Sequence, residues 1–183
     1  LGFKDFQIRI NDRQILKAMA RFSGFAEESF DEVFIILDKM DKIGIDGVKE
    51  ELLKAGFAES TVDTYLNMFS EMENESDSVA YIIKKLGDSL DASVKEGFQE
   101  IIDSVNASKG DYFDLVFDPT LVRGMSYYTG TIFEIAMPQF GGSCGGGGRY
   151  DKMVGKFTGN DVPACGFSIG FERIAGILLD KNY

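Results

Sequence analysis

Hydrophobic and polar positions alternate at the start of the chain. Across residues 3 to 10, Phe6, Ile8 and Ile10 fall on one side, and Asp5, Gln7 and Arg9 on the other. That is the period of a half-exposed strand. Asn11 or Asp12 can cap a following helix with Ile15, Met19 and Phe22 on one face, and Gly24 ends it. From about Glu27 to Gly110 the period lengthens to that of helices. Ser29-Phe-Asp-Glu32 has capping-box spacing ahead of Val33, Ile36, Leu37 and Met40. Asp46 opens a short helix bearing Val48, Leu52 and Leu53, which Gly56 closes. Ser60 leads into Val62, Tyr65, Leu66 and Phe69, and a stripe of Val79, Ile82, Ile83 and Leu86 stops at Gly87. Val94, Phe98, Ile101, Ile102 and Val105 form the longest stripe. Together these predict a small helical core with acidic, solvated outer faces.

Strand content returns after Gly110. Tyr112 to Phe117 is a short apolar run, and Asp118-Pro119 makes a turn. Leu121 to Glu134 reads as a hairpin of two short strands, with Val122, Tyr127, Ile132 and Ile135 as strand formers and Thr129-Gly130 as the turn. The run Pro163 to Arg173 passes from strand to helix near Gly170, with Ile174, Ile177 and Leu178 on the buried side. The predicted architecture is α+β: an antiparallel sheet with helices, interrupted by a helical insertion. Residues 1–26 form a first strand and helix, 27–110 the insertion, and 111–183 the return to the sheet.

Three features carry candidate chemistry. Arg123 sits among apolar strand residues, where a guanidinium needs an anion. Either an internal Asp or Glu pairs with it, or it holds a carboxylate or phosphate ligand through its two-pronged fork. The glycine run from Gly141 to Gly148 lacks the GxxxxGK[ST] of a phosphate-binding loop. It is either a flexible loop with a bulge or a ligand wall, and Arg149-Tyr150-Asp151 at its end favours the wall. Arg173 falls in the first turn of the last helix, where the dipole disfavours a cation. Its partner is a ligand phosphate or a surface Glu.

Composition narrows the field. The chain has 183 residues and a net charge of -11, with 44% hydrophobic and 27% charged residues, which suits a globular domain and not a broad basic nucleic-acid surface. Histidine is absent, which removes imidazole bases and His-ligated metals. Cys144 and Cys165 form no CxxC and are expected to be free, buried thiols of a cytoplasmic protein. No apolar run reaches membrane-spanning length. The chain begins at Leu1 directly with strand pattern, so it is expected to be a piece of a longer protein.

The order LVRGMSYYTGTIFE, GGRYD, PACGFSIGFERI resembles the second half of the catalytic domain of histidyl-tRNA synthetases, which are class II aminoacyl-tRNA synthetases. The first two match that family's histidine-specific motifs, and the third fits class II motif 3. Residues 1 to 22 resemble the stretch after motif 2, and the helical middle resembles the family's insertion domain by position and character.

The resemblance implies a ligase. ATP and L-histidine give histidyl-adenylate, and the histidyl group then passes to tRNA(His), in the cytoplasm and in a homodimer. Mg2+ is implied only as an ion bound through ATP phosphates, and no protein metal site is implied. By the same resemblance, Arg123 touches the α-phosphate and the substrate carboxylate as the catalytic residue. Tyr127, Tyr128 and Tyr150 line the histidine pocket, and Gly170 and Arg173 serve ATP, with Arg173 on the γ-phosphate. Ser126 stands where many members have Asp. No counterpart of motif 1 or of the motif 2 arginine is present, and no anticodon-binding domain follows Tyr183, so the chain alone is expected to be inactive. The alternative is a non-catalytic synthetase-like regulatory or sensing domain that binds histidine or uncharged tRNA. The resemblance also implies that the insertion lies against the tRNA acceptor stem, with Lys84, Lys85 and Lys95 as candidate contacts or as ordinary solvated surface.

Overall fold

The computed structural model describes residues 2–123 and 127–180, so Ser126 lies outside the described residues. These divide into two compact units. One falls within Leu1–Asp12, Phe98–Asp118 and Tyr127–Tyr183, the other within Arg13–Gly97 and Pro119–Ser126.

The first unit is built on a five-stranded sheet of β1 (Phe6–Asp12), β2 (Phe113–Phe117), β3 (Thr131–Met137), β4 (Gly142–Arg149) and β5 (Cys165–Ile169). The strand order is β2-β1-β3-β4-β5. β1 and β2 run parallel, and the other pairs are antiparallel. A parallel pair needs a long crossover, and the helical stretch between β1 and β2 supplies it. The alternation along β1 sorts its residues as expected. Phe6 stacks on Phe113 at 5.3 Å, while Arg9 on the other face pairs with Asp118 at 2.5 Å and reaches Glu134 at 3.8 Å.

Helices α7 (Asp151–Thr158) and α8 (Phe171–Asp180) belong to this unit, as does the stretch of helix from Phe98 to Ser108. Ile177 of α8 packs with Met137 and Cys144, flanked by Phe3, Phe6, Ile135 and Ile174.

The expected hairpin over Leu121 to Glu134 is corrected. Among the described residues only Thr131 onward is strand, and β3 pairs with the glycine run instead. Arg123 adopts φ +55°, a left-handed backbone that no extended arm accommodates. The glycine run is itself the strand β4 and lies inside the sheet. At Gly148 a β-carbon would meet Thr131 O at 2.7 Å and the Tyr128 ring at 2.9 Å, so crowding demands glycine there. The bulge lies in β4 itself: Ile135 pairs with Gly145 and Ala136 with Ser143, which leaves Cys144 as the extra residue.

The second unit is helical. It holds α1 (Arg13–Ser23), α2 (Phe30–Leu37), α3 (Met40–Lys54), α4 (Glu59–Glu73) and α5 (Ser78–Leu86), and α6 (Ala92–Ser108) begins in it. Ile15, Leu16, Met19, Phe34, Val48, Leu52, Val62, Tyr65, Met68, Ile82 and Leu86 form its buried core. Gly24 ends α1 with φ +98°. Ser29 makes no side-chain cap to α2, because it closes a short 3-10 turn, Glu27–Ser29, with helical backbone angles. Asp46 lies inside α3, which starts at Met40 and breaks at Gly44 (φ +68°). A cap does form at α5, where Ala80 N–H donates to Asp77 Oδ1 at 2.9 Å. α6 is the longest helix, at 17 residues, yet only Phe98 of its stripe is buried and Ile101 is exposed.

Candidate active site

Three phenols converge where β4 ends. Tyr127 and Tyr128 precede β3, and Tyr150 follows Arg149, the last residue of β4. The Tyr127 and Tyr128 ring centroids are 4.5 Å apart, and Tyr150 lies 6.0 Å and 6.4 Å from them. Tyr128 is buried, and the Tyr127 hydroxyl points to its hydroxyl at 3.5 Å. The floor beneath them is bare backbone. Gly148 pairs with Gly166 across β4 and β5, so the two share a face. Tyr128 lies against Gly148, and the Tyr150 hydroxyl lies against Gly166.

Short bonds tie the tyrosine-bearing segments together. Thr129 N–H donates to Arg149 O at 2.8 Å, and Asp151 N–H donates to Thr129 Oγ1 at 3.1 Å. The Asp151 carboxylate accepts Arg149 Nε at 2.9 and 2.7 Å and Ala164 N–H at 3.1 Å. Tyr150 N–H donates to Ala164 O at 2.8 Å. The sequence reading gave Thr129 only a turn and Asp151 only a place at the end of the candidate wall, with no bonding role for either. Their positions beside the tyrosines were the only signal.

The same face of the sheet carries a second feature missed from sequence. Arg9, opposite Glu134 on β3 and itself paired with Asp118, sets charged groups beside Gly146, the β4 partner of Glu134. The polar half of the β1 alternation contained that signal.

Arg173 stands at the other end of β4. Gly170 N–H donates to Cys144 O at 2.8 Å, and the Arg173 stem folds back within about 3.1 Å of where a Gly170 β-carbon would sit. The guanidinium lies 5.4 Å over the Phe140 ring and donates to the Ser143 carbonyl. Ser143 and Tyr150 are seven residues apart along the strand, about 23 Å at ~3.3 Å per residue. Burial pushes the Cys144 thiol up, against the nearby Arg173 charge. Cys165, expected to be buried, is exposed on β5, which among the described residues has a neighbouring strand, β4, on one edge only.

Arg123 belongs to the helical unit, in the segment whose Leu121 and Val122 are buried. Of the lysines considered, Lys84 is exposed. Lys85 pairs with Glu71, and Lys95 donates to Gly87 O at 2.6 Å. Among the described residues no three His, Cys, Asp or Glu side chains stand close enough to hold a metal ion, and no helix is long and apolar enough to cross a membrane.

Comparison with known proteins bears on this arrangement. A sequence profile described as histidyl-tRNA synthetase matches residues 1–174. The histidine–tRNA ligase of Leifsonia xyli subsp. xyli is 41% identical over 97% of this chain and 42% of its own length. That of Korarchaeum cryptofilum is 35% identical over 94% of this chain and 39% of its own length. The crystal structure of histidyl-tRNA synthetase from Nostoc sp. PCC 7120 is similar with a TM-score of 0.80 at 26% identity, over 99% of this chain and 43% of that one. An ATP phosphoribosyltransferase regulatory subunit/histidyl-tRNA synthetase from Bacillus halodurans C shares the fold, with a TM-score of 0.74 at 19% identity over 97% of this chain and 45% of that one. The chain spans about two fifths of the curated relatives it matches.

Proposed function

The chain belongs to the histidyl-tRNA synthetase family, and from that premise we propose that it is the histidine-binding part of a histidine–tRNA ligase. The carrying observation is the convergence of Tyr127, Tyr128 and Tyr150 over the glycine floor of β4 and β5. A flat ring fits between aromatic faces, and phenolic hydroxyls can meet both nitrogens of an imidazole. A buried hydroxyl that expects a polar partner rejects ligands lacking one by roughly 10⁴-fold.

In this reading ATP lies along β4 toward Arg173, whose guanidinium meets the γ-phosphate. Arg123 stabilises the charge that develops on the α-phosphate as the histidine carboxylate attacks. Pyrophosphate leaves, and histidyl-adenylate then transfers its acyl group to a terminal hydroxyl of tRNA(His), releasing AMP. No side chain needs to be a strong base, so catalysis rests on positioning and electrostatics. Mg2+ enters bound to the ATP phosphates. Residues 1–26 and 111–183 belong to the catalytic domain of a cytoplasmic homodimer, and 27–110 to its insertion.

Histidine-dependent exchange of pyrophosphate into ATP tests the reading. The 183-residue chain alone is expected to show none. A full-length protein containing it is expected to show exchange, reduced about a hundred- to thousandfold by Arg123→Ala. Exchange by the chain alone, or none by the full-length protein, would overturn it.

A further inference from the structure

We propose that Thr129 and Asp151 are positioning residues that set the spacing between Tyr128 and Tyr150, and that this spacing fixes the preference for an imidazole ring. The inference rests on the reading of the tyrosines as the histidine pocket and deepens it.

The two tyrosines come from segments 22 residues apart in sequence, with β3 and β4 between them. Besides the contact of the two rings, bonds between their immediate neighbours join them. Thr129 follows Tyr128, and Arg149 and Asp151 flank Tyr150. The Thr129 backbone donates to the carbonyl before Tyr150, and the Thr129 hydroxyl accepts from the amide after it. That hydroxyl also points its proton toward Arg149 O at 3.5 Å. Both peptide units around Tyr150 are thereby referred to one threonine.

Asp151 closes the arrangement from the other side. Its two carboxylate oxygens receive Arg149 Nε, and one also receives Ala164 N–H, one residue ahead of β5. Tyr150 N–H reaches back to Ala164 O. The ring of Tyr150 is thus aimed over Gly166 by bonds made on the residues beside it. Charge-assisted bonds of this kind are roughly twice as strong as neutral ones. Serine at 129 would keep the hydroxyl, whereas valine would leave the Asp151 amide without its acceptor. Asparagine at 151 would keep the shape and lose the charge.

The test uses the chain with tyrosine rings isotopically labelled. Ring-to-ring NOEs between Tyr128 and Tyr150 are recorded, and L-histidine is titrated against 2-thienylalanine, a ring of similar size without nitrogens. Thr129→Val and Asp151→Asn should lose the NOE pattern and weaken histidine about tenfold, while thienylalanine changes little. Thr129→Ser should behave as wild type, and ATP affinity should stay within about twofold, because Arg173 is anchored elsewhere. Wild-type NOEs and wild-type preference in both variants would overturn the inference. If Tyr150→Phe loses the preference and Thr129→Val does not, the pocket stands and only the positioning role falls. If Tyr150→Phe keeps it, the pocket reading fails. Should the wild-type chain bind neither amino acid at millimolar concentration, the NOEs decide alone, and an unchanged pattern in Thr129→Val overturns the inference.

Discussion

The phenol of Tyr150 fills the space that a side chain on Gly166 would need. The two residues come from different strands, and Gly166 is the cross-strand partner of Gly148, against which Tyr128 lies. A methyl group at 166 must push either the phenol or the strand aside. Overpacking of this kind costs about 1–3 kcal/mol. Gly166→Ala is therefore expected to lower the unfolding free energy, read from urea titration, by that amount. Adding Tyr150→Phe removes the obstructing hydroxyl and should recover part of the loss. Urea denaturation of the two single variants and the double variant reads the coupling. Strict additivity would show that the contact has no energetic weight.

Arg173 leads to a second expectation. Its guanidinium lies over Phe140 and bonds to the Ser143 carbonyl, an arrangement that uses one flat face and one edge of a planar cation. Lysine has neither. Arg173→Lys should weaken ATP binding nearly as much as Arg173→Ala, by about tenfold, the size of one charge-assisted bond. Wild-type ATP affinity in the lysine variant, measured by calorimetry on the full-length protein, would mean that only the charge matters.

Tyr65 supplies a pH dependence. It is fully buried among Phe25 and Phe69, and its hydroxyl finds no hydrogen-bond partner among the described residues. Burial raises its pKa well above the ordinary tyrosine value, partly opposed by the Arg13 charge. The folded state therefore keeps a proton that the unfolded chain releases near pH ~10. Above that pH the unfolded state binds fewer protons, so stability falls as pH rises, by up to ~1.4 kcal/mol per pH unit from this residue. Tyr65→Phe should flatten that part of the curve. At neutral pH it should cost nothing or stabilise by about 1 kcal/mol, because an unsatisfied hydroxyl is removed. Identical alkaline slopes in denaturant titrations of wild type and variant would contradict this.

Much of the fold was legible in the sequence where period and burial agree. The alternation of Phe6, Ile8 and Ile10 and the stripe of Ile15 and Met19 need only local geometry. The hairpin over Leu121 to Glu134 failed because β propensity says nothing about Arg123, whose left-handed backbone ends any extended arm. Composition left the glycine run open between a loop with a bulge and a ligand wall. It is a strand because its neighbours approach too closely for side chains, a tertiary fact with no local signature. The capping box at Ser29 had the right spacing, but the preceding 3-10 turn took its backbone. At the site, Tyr127, Tyr128 and Tyr150 stood out through motif resemblance. Thr129 and Asp151 did not, because their bonds join residues 22 apart.

The C-terminal strand and helix leave large apolar side chains in water. Phe167 is 67% exposed, Ile169 56%, Phe171 78% and Leu179 76%. Among the described residues β5 also has a strand partner on one side only. An edge strand that offers unpaired backbone groups beside apolar side chains is a template for association. The isolated chain is therefore expected to self-associate with rising concentration despite its net charge of -11. Replacing Phe167 and Ile169 with Lys adds two charges to that edge and removes apolar surface already facing solvent. Its effect on stability should stay within about 0.5 kcal/mol. Sedimentation velocity across a concentration series should then show the double variant as a monomer where the wild-type chain forms larger species. Equal sedimentation of the two would mean that this edge is not where copies meet.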